Sequence, residues 1–98
     1  MIDGTYKIKV QVLFGYKSGK IVLHTEGDKL LADIDVPIIG RHHVEGAVDG
    51  DKFSAKGSGM ALPLGLIRFN IKGEVSGDDL HLDIKSNKGN LKMDGVRV

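Results

Sequence analysis

The sequence predicts an all-β protein: eight antiparallel strands in an up-and-down meander that closes into a barrel. Apolar and polar residues alternate along most of the chain, the pattern of strands with one buried face. Glycines at positions 15, 40, 65 and 89 recur at nearly equal intervals and alternate with Gly-Asp pairs at 27–28, 50–51 and 77–78. Two turn types at regular spacing predict repeated hairpins within one domain, residues 1–98.

The predicted strands lie between these turn signals. They span residues 3–14, 19–26, 30–36, 42–48, 52–61, 66–75, 80–86 and 91–98. In chain order, the apolar residues expected on the inner face are Tyr6, Ile8, Val10 and Val12; Ile21 and Leu23; Leu30, Ala32 and Ile34; Val44 and Val48; Phe53; Ile67, Phe69 and Ile71; Leu80, Leu82 and Ile84; Leu91 and Met93. To the same inner face, strand five contributes after Phe53 only small residues: Ala55, Gly57, Gly59 and Ala61.

Eight antiparallel strands with one apolar face must either close on themselves or stack as two layers. Closure removes both sheet edges, so a barrel in which the first strand pairs with the last is favoured. A two-sheet meander sandwich is the alternative. In either arrangement the Gly-Asp turns and both termini lie at one end, and the connections ending in glycine lie at the other.

Composition limits the possible partners. Lys and Arg (14) nearly balance Asp and Glu (13), which predicts neither a nucleic-acid partner nor a membrane partner unless charge is segregated in space. Cysteine is absent, so thiolate catalysis and cysteine-bound metals are excluded, and no cofactor is predicted. No apolar run is long enough for a membrane helix, and no basic-then-apolar segment opens the chain; a cytoplasmic location is expected.

An eight-stranded meander barrel resembles the calycin group: lipocalins, fatty-acid-binding proteins and streptavidin-like chains. The resemblance covers the whole chain and is one of topology. The lipocalin Gly-x-Trp signature has no counterpart, because the chain lacks Trp and opens with Asp3-Gly4-Thr5-Tyr6. The resemblance implies a barrel that carries a small apolar ligand in its interior.

An apolar ligand site is therefore expected inside the barrel. The small residues of strand five leave room along one wall. The alternative is that eight strands enclose just enough space for side chains, and that the glycines admit a large neighbour such as Phe69. The residues expected to line the site are Tyr6, Ile8, Ala32, Ile34, His42, Val44, Ala55, Gly57, Gly59, Phe69, Ile71, Leu82 and Met93.

The connections at the glycine end are unusually apolar, whereas loops are normally polar. Their apolar residues are Phe14, Ile38, Ile39, Leu62, Leu64 and Leu66. These residues predict a contact surface, such as a homodimer interface. The alternatives are an inward-folded plug and a hydrophobic mouth for a ligand.

Histidine chemistry is the remaining hypothesis. His42 shares the inner face with Val44 and Tyr6, so the two polar rings are candidates for acid–base catalysis in a barrel enzyme. His43 and Glu45 share the outer face with acidic residues of the neighbouring strand. They are interpreted as a solvated polar surface, so no metal site is predicted. A binding protein rather than an enzyme is expected.

Overall fold

The computed structural model describes residues 2–12, 14–36, 40–61, 65–87 and 89–98, and eight strands follow one another along them. They are β1 (Gly4–Val12), β2 (Gly15–Glu26), β3 (Lys29–Val36), β4 (Gly40–Asp49), β5 (Lys52–Ala61), β6 (Gly65–Ser76), β7 (Asp79–Ser86) and β8 (Gly89–Arg97). Each strand pairs antiparallel with the next and β1 pairs with β8, so the sheet closes as predicted. The described residues contain no helix, and hence none long and apolar enough to span a membrane.

The three Gly-Asp turns confirm the hairpin prediction. Gly27, Gly50 and Gly77 each adopt a left-handed backbone with φ of 62 to 63°, a conformation that glycine adopts without steric cost. Two-residue turns at these positions join β2 to β3, β4 to β5 and β6 to β7. We call the end that carries these turns and both termini the turn end, and the opposite end, where the other hairpins end, the tip end.

Strand β2 begins at Gly15, four residues before the predicted start at 19. Residues 15–19 lack apolar alternation, because they continue past the buried part of the sheet and most of them are exposed. They are held by pairing with β1, from Val12↔Gly15 to Ile8↔Gly19. A neighbouring strand thus supplies the order that a period-two pattern cannot reveal.

The inner face forms one apolar core. Its buried side chains include nearly all of those predicted, and Ile2, Val36 and Val75 in addition; the side chain of Val12 lies outside the part of the chain that the structure describes. The core residues below 2% exposure are Tyr6, Ile2, Ile8, Ile21, Leu30, Ile34, Ile67, Leu80 and Ile84. Val48 and Leu91 are half-buried and pack against this core.

The first residues of the chain cover the barrel interior at the turn end. Ile2 is buried, and its carbonyl oxygen accepts a hydrogen bond of 2.7 Å from the Tyr6 hydroxyl. Arg97 Nη1 donates to the Asp3 carbonyl oxygen at 3.0 Å, and its guanidinium carbon lies 5.2 Å from the Tyr6 ring centroid. Burial raises the pKa of Tyr6, which keeps the phenol protonated and able to donate.

Asp3 fastens this segment to β2, and we expect Asp3→Asn to lower the free energy of unfolding by about 1 kcal/mol near neutral pH. Thr25 donates to Asp3 through its hydroxyl (2.7 Å) and its backbone N–H (3.1 Å), and these hydrogen bonds lower the pKa of Asp3 below 3.8. The contribution is therefore present above the unfolded-state pKa and is lost as pH falls through the folded-state pKa. Urea unfolding at neutral and acidic pH measures the difference.

Asp28→Asn is the matched control, because Asp28 is exposed in a turn that asparagine also accommodates. Its effect on stability should be small at both pH values. A penalty for Asp3→Asn that persisted unchanged at low pH would contradict the role given to the Asp3 carboxylate.

Candidate functional site

Two neighbouring strand pairs, β4–β5 and β1–β8, are hydrogen-bonded only in the half of the barrel toward the turn end. We call the boundaries between these strands the two seams, and the other half of the barrel the tip half. The β4–β5 ladder joins residues 45–49 to 52–56, and the β1–β8 ladder joins 6–9 to 94–97. All four strands continue beyond these ladders toward the tip end. In the tip half the barrel therefore consists of two four-stranded sheets, β1–β4 and β5–β8, with unpaired edges at both seams. The sheet as a whole still closes into a barrel, so the predicted barrel and not the sandwich alternative is the fold.

His42 lies on the inner face beside one of these seams. Its ring packs against Phe69 with centroids 5.4 Å apart and planes tilted by 56°. The residue is half-buried, whereas Val44, two residues along the same face, is buried. Solvent therefore reaches the inner face at the level of His42.

The glycines of strand β5 admit large neighbours, as the filled-barrel alternative expected. A Cβ at Gly57 would lie 2.6 Å from Phe69 Cζ and 2.7 Å from Val44 Cγ1. A Cβ at Gly59 would lie 2.2 Å from His42 Cε1. The space that the small residues leave is thus occupied by rings and a methyl group, and a ligand would take it only if these side chains moved.

The predicted ligand-lining residues divide between the two halves of the barrel. Tyr6 helps to cover the barrel at the turn end. Toward that end, Ile71 pairs with Ala55 and Leu82 pairs with Gly73. His42, Val44, Gly57, Gly59 and Phe69 cluster beside the β4–β5 seam.

The structure also places Lys17 on the inner face in the tip half, where it pairs with Val10. The sequence carries a signal for this placement: Lys17 lies four residues before Ile21, so the period of two puts both side chains on the same face.

The two residues considered for catalysis have different surroundings. The Tyr6 hydroxyl is engaged with the Ile2 carbonyl oxygen at the turn end, and its raised pKa makes it a poor base at neutral pH. The His42 ring lies over Gly59 in the tip half. The catalytic hypothesis stays a prediction, and the Tyr6 geometry gives it no support.

Outward histidines form cross-strand pairs with carboxylates. His43 Nδ1 lies 2.7 Å from Asp33, and His81 Nδ1 lies 2.6 Å from Asp94, a hydrogen bond that raises the pKa of His81. Within the part of the chain that the structure describes, no three His, Asp or Glu side chains are grouped so as to hold a metal ion.

A groove of about 660 Å³ on the outer face of β4–β7 has Ala47 and Ser54 among its lining residues.

The apolar tip residues are partly described. Phe14 is 95% exposed and Leu66 is 52% exposed, so neither plugs the barrel. Tyr16, which the sequence did not single out, is 71% exposed nearby on β2. The other predicted contact residues, Ile38, Ile39, Leu62 and Leu64, lie outside the described residues.

These features define a small closed meander barrel that is covered at the turn end and split at the tip half. No known protein-family model and no curated protein matches the chain. Among solved structures, it is similar to a redesigned β-barrel, with a TM-score of 0.61 and 12% sequence identity over 99% of this chain and 90% of that one. At this identity the similarity shows the fold alone, and the calycin resemblance remains one of topology.

Proposed function

We propose that this protein binds a small apolar molecule in the tip half of its barrel, between the two four-stranded sheets. The observation that carries the proposal is the early end of the β4–β5 and β1–β8 ladders while all four strands continue. Unpaired edges on opposite sides let the sheets separate locally without breaking ladder hydrogen bonds. The walls on the inner side are mainly apolar, as a ligand site of this kind requires, with His42 and Lys17 as polar exceptions.

Entry requires the His42 ring to leave its place over Gly59. The ring is half-buried beside an unpaired seam, so a change of side-chain rotamer can carry it outward. The ligand then contacts Phe69 and the backbone of the β5 glycines. His42 acts in this proposal as a side chain that occupies the site until a ligand replaces it.

The test is a fluorescence titration with N-phenyl-1-naphthylamine, a neutral apolar probe that brightens in an apolar site. We expect saturable binding by the unmodified protein and a severalfold lower Kd for His42→Ala, because the ring no longer has to be displaced. His43→Ala is the matched control: His43 is adjacent, exposed and outward. Its Kd should equal that of the unmodified protein.

Methyl NMR of the same titration locates the probe. Shifts should concentrate on Val36, Val44 and Ile67, and should spare Leu30 and Leu80 near the turn end. The absence of saturable binding, or shifts confined to residues facing the outer groove of β4–β7, would sink the proposal.

A second candidate function is a contact surface formed by the tip end. The 95% exposure of Phe14 favours it, because a large apolar side chain that is almost fully hydrated gains free energy when a partner covers it. Leu66 is also exposed at this end. A homodimer through the tips is one form of this function.

A further inference from the structure

Charge is strongly separated along the barrel axis, although the whole chain has a net charge of only +1. The four residues of each strand nearest the turn end, together with the Gly-Asp turns and Asp3, carry nine carboxylates against four Lys and Arg. The carboxylates are Asp3, Glu26, Asp28, Asp49, Asp51, Glu74, Asp78, Asp79 and Asp94, and the cations are Lys7, Lys29, Lys52 and Arg97.

The tip end has the opposite sign. The four residues of each strand nearest that end carry six Lys and Arg against three carboxylates. The cations are Lys9, Lys17, Arg41, Arg68, Lys85 and Lys92, and the carboxylates are Asp33, Asp35 and Asp83. Folding thus converts a balanced composition into a protein with one acidic and one basic end.

Two of the three carboxylates of the tip end lie close to an arginine or a histidine side chain, and both do so on the β3–β4 side of the barrel. Asp35 lies 3.4 Å from Arg41, and Asp33 lies 2.7 Å from His43, both across β3 and β4. No ion pair with another described residue involves Lys17, Arg68 or Lys85, and all three are exposed. Lys9 instead faces Asp94 across the β1–β8 ladder, and the third carboxylate of the tip end, Asp83, faces Lys92 across the β7–β8 ladder. The uncompensated positive charge therefore lies on the other side of the barrel.

Exposed apolar side chains lie within the same basic arc. Strands β6, β7, β8, β1 and β2 follow one another around the barrel, and the β1–β8 ladder between them stops before the tip half. At the tip end this arc carries Leu66 at its β6 edge, and Phe14 and Tyr16 at its β1–β2 edge. We name this surface, formed by Phe14, Tyr16, Leu66, Lys17, Arg68, Lys85 and Lys92, the basic tip.

We propose that the basic tip docks on an anionic lipid membrane. The proposal rests on the second candidate function, contact through the tips, and names its partner. Exposed aromatic and aliphatic side chains at the protein's end enter the interfacial region of a bilayer, and surrounding cations are attracted to anionic headgroups. The acidic turn end is repelled by the same surface, so the charge separation also orients the barrel with its tip end toward the lipid.

Charge complementarity selects this partner over a second copy of the chain. Two copies that met tip to tip would bring their uncompensated cations together, and like charges in contact oppose association. A nucleic acid would satisfy the cations and stack on Phe14 and Tyr16, but it would leave the aliphatic side chain of Leu66 without an apolar partner. An anionic bilayer satisfies the charged and the apolar residues together. The balanced composition had predicted no membrane partner; the axial separation is the reason to depart from that expectation.

The experiment is flotation of the full chain with two kinds of vesicle: phosphatidylcholine alone, and phosphatidylcholine mixed with phosphatidylglycerol. We expect binding to the mixed vesicles only, weakening as salt is raised. The double variant Arg68→Gln/Lys85→Gln should reduce the partition coefficient roughly tenfold or more. Its control, Lys29→Gln/Lys52→Gln, makes the same change of charge at the turn end, far from the docked surface, and should leave binding close to the original level.

Phe14→Ser tests the apolar contribution, and Val98→Ser is its control, because Val98 is 73% exposed beyond β8 at the turn end. Only the Phe14 change should weaken binding. Equal binding to both kinds of vesicle, equal losses from changes at both ends, or no binding to either vesicle would overturn the lipid proposal.

The oligomeric state, measured by sedimentation on the same samples, separates the two failures. If no vesicle binds but Phe14→Ser converts a dimer into a monomer, the contact surface stands and the lipid partner is wrong. If Phe14→Ser alters neither vesicle binding nor sedimentation, the tip is not a contact surface and both ideas fail. Retention of a single-stranded oligonucleotide without vesicle binding would also overturn the lipid proposal, in favour of a nucleic acid.

Discussion

Replacing Gly46 with alanine is expected to lower the free energy of unfolding by about 3 kcal/mol or more. A Cβ at this position would lie 1.8 Å from the Ser54 carbonyl oxygen and 2.8 Å from Ala55 Cα. Both atoms belong to the backbone of β5, so no change of side-chain rotamer relieves the overlap. Gly46 and Ala55 are partners in the β4–β5 ladder, and the strands would have to move apart there.

Two comparisons make the Gly46 prediction specific. Ala47→Ser, at the next position on the outer face, should change stability by no more than about 0.5 kcal/mol. Gly57→Ala should cost less than Gly46→Ala, because its obstacles are the side chains of Phe69 and Val44, which can shift. Equilibrium urea unfolding of the variants gives the order. A Gly46→Ala protein as stable as the unmodified one would mean that β4 and β5 do not approach so closely.

The fold could be predicted because its information is local. Alternation fixes which face of each strand is buried, and Gly-Asp pairs mark the two-residue turns through the backbone that glycine permits. Positions such as Ile8 and Leu82 therefore lie where the pattern predicts. The start of β2 was wrong because residues 15–18 are ordered by β1 rather than by burial of their own.

The features of the candidate site depend on how distant strands meet. No period in the sequence shows that the β4–β5 ladder stops at Glu45 and Lys56. Small residues in β5 could equally predict an empty wall or a filled one, and only the cross-strand neighbours reveal that Phe69 and His42 occupy the space. Which of several large side chains faces a glycine is set by strand register, which composition does not contain.

The distribution of charge over the folded surface is likewise not visible in the net charge of the sequence. Net charge sums over the chain, whereas the field at a surface depends on where each charge lies. The acidic Gly-Asp turns fall at one end because consecutive hairpins alternate in direction, and lysines and arginines such as Lys17 and Arg68 fall at the other. The meander topology itself, combined with a repeated turn sequence, produces the axial separation.

Replacing Tyr6 with alanine should lower the free energy of unfolding by about 4 kcal/mol, a large part of the roughly 5–15 kcal/mol that stabilises a domain. Tyr6 is 0% exposed, and its ring packs under Arg97 while its hydroxyl holds the Ile2 carbonyl oxygen. Alanine would remove the ring, leave a cavity and deprive that carbonyl of its donor.

Tyr6→Phe separates these contributions, because it keeps the ring and removes only the hydrogen bond. It should cost about 1 kcal/mol, and Tyr16→Ala, at the exposed tyrosine, no more than about 0.5 kcal/mol. Urea unfolding of the variants measures the order. If Tyr6→Phe cost as much as Tyr6→Ala, the hydroxyl and not the ring would hold the turn end closed. If neither change mattered, residues 2–3 would not contribute to stability, and closure there would depend on the β1–β8 ladder alone.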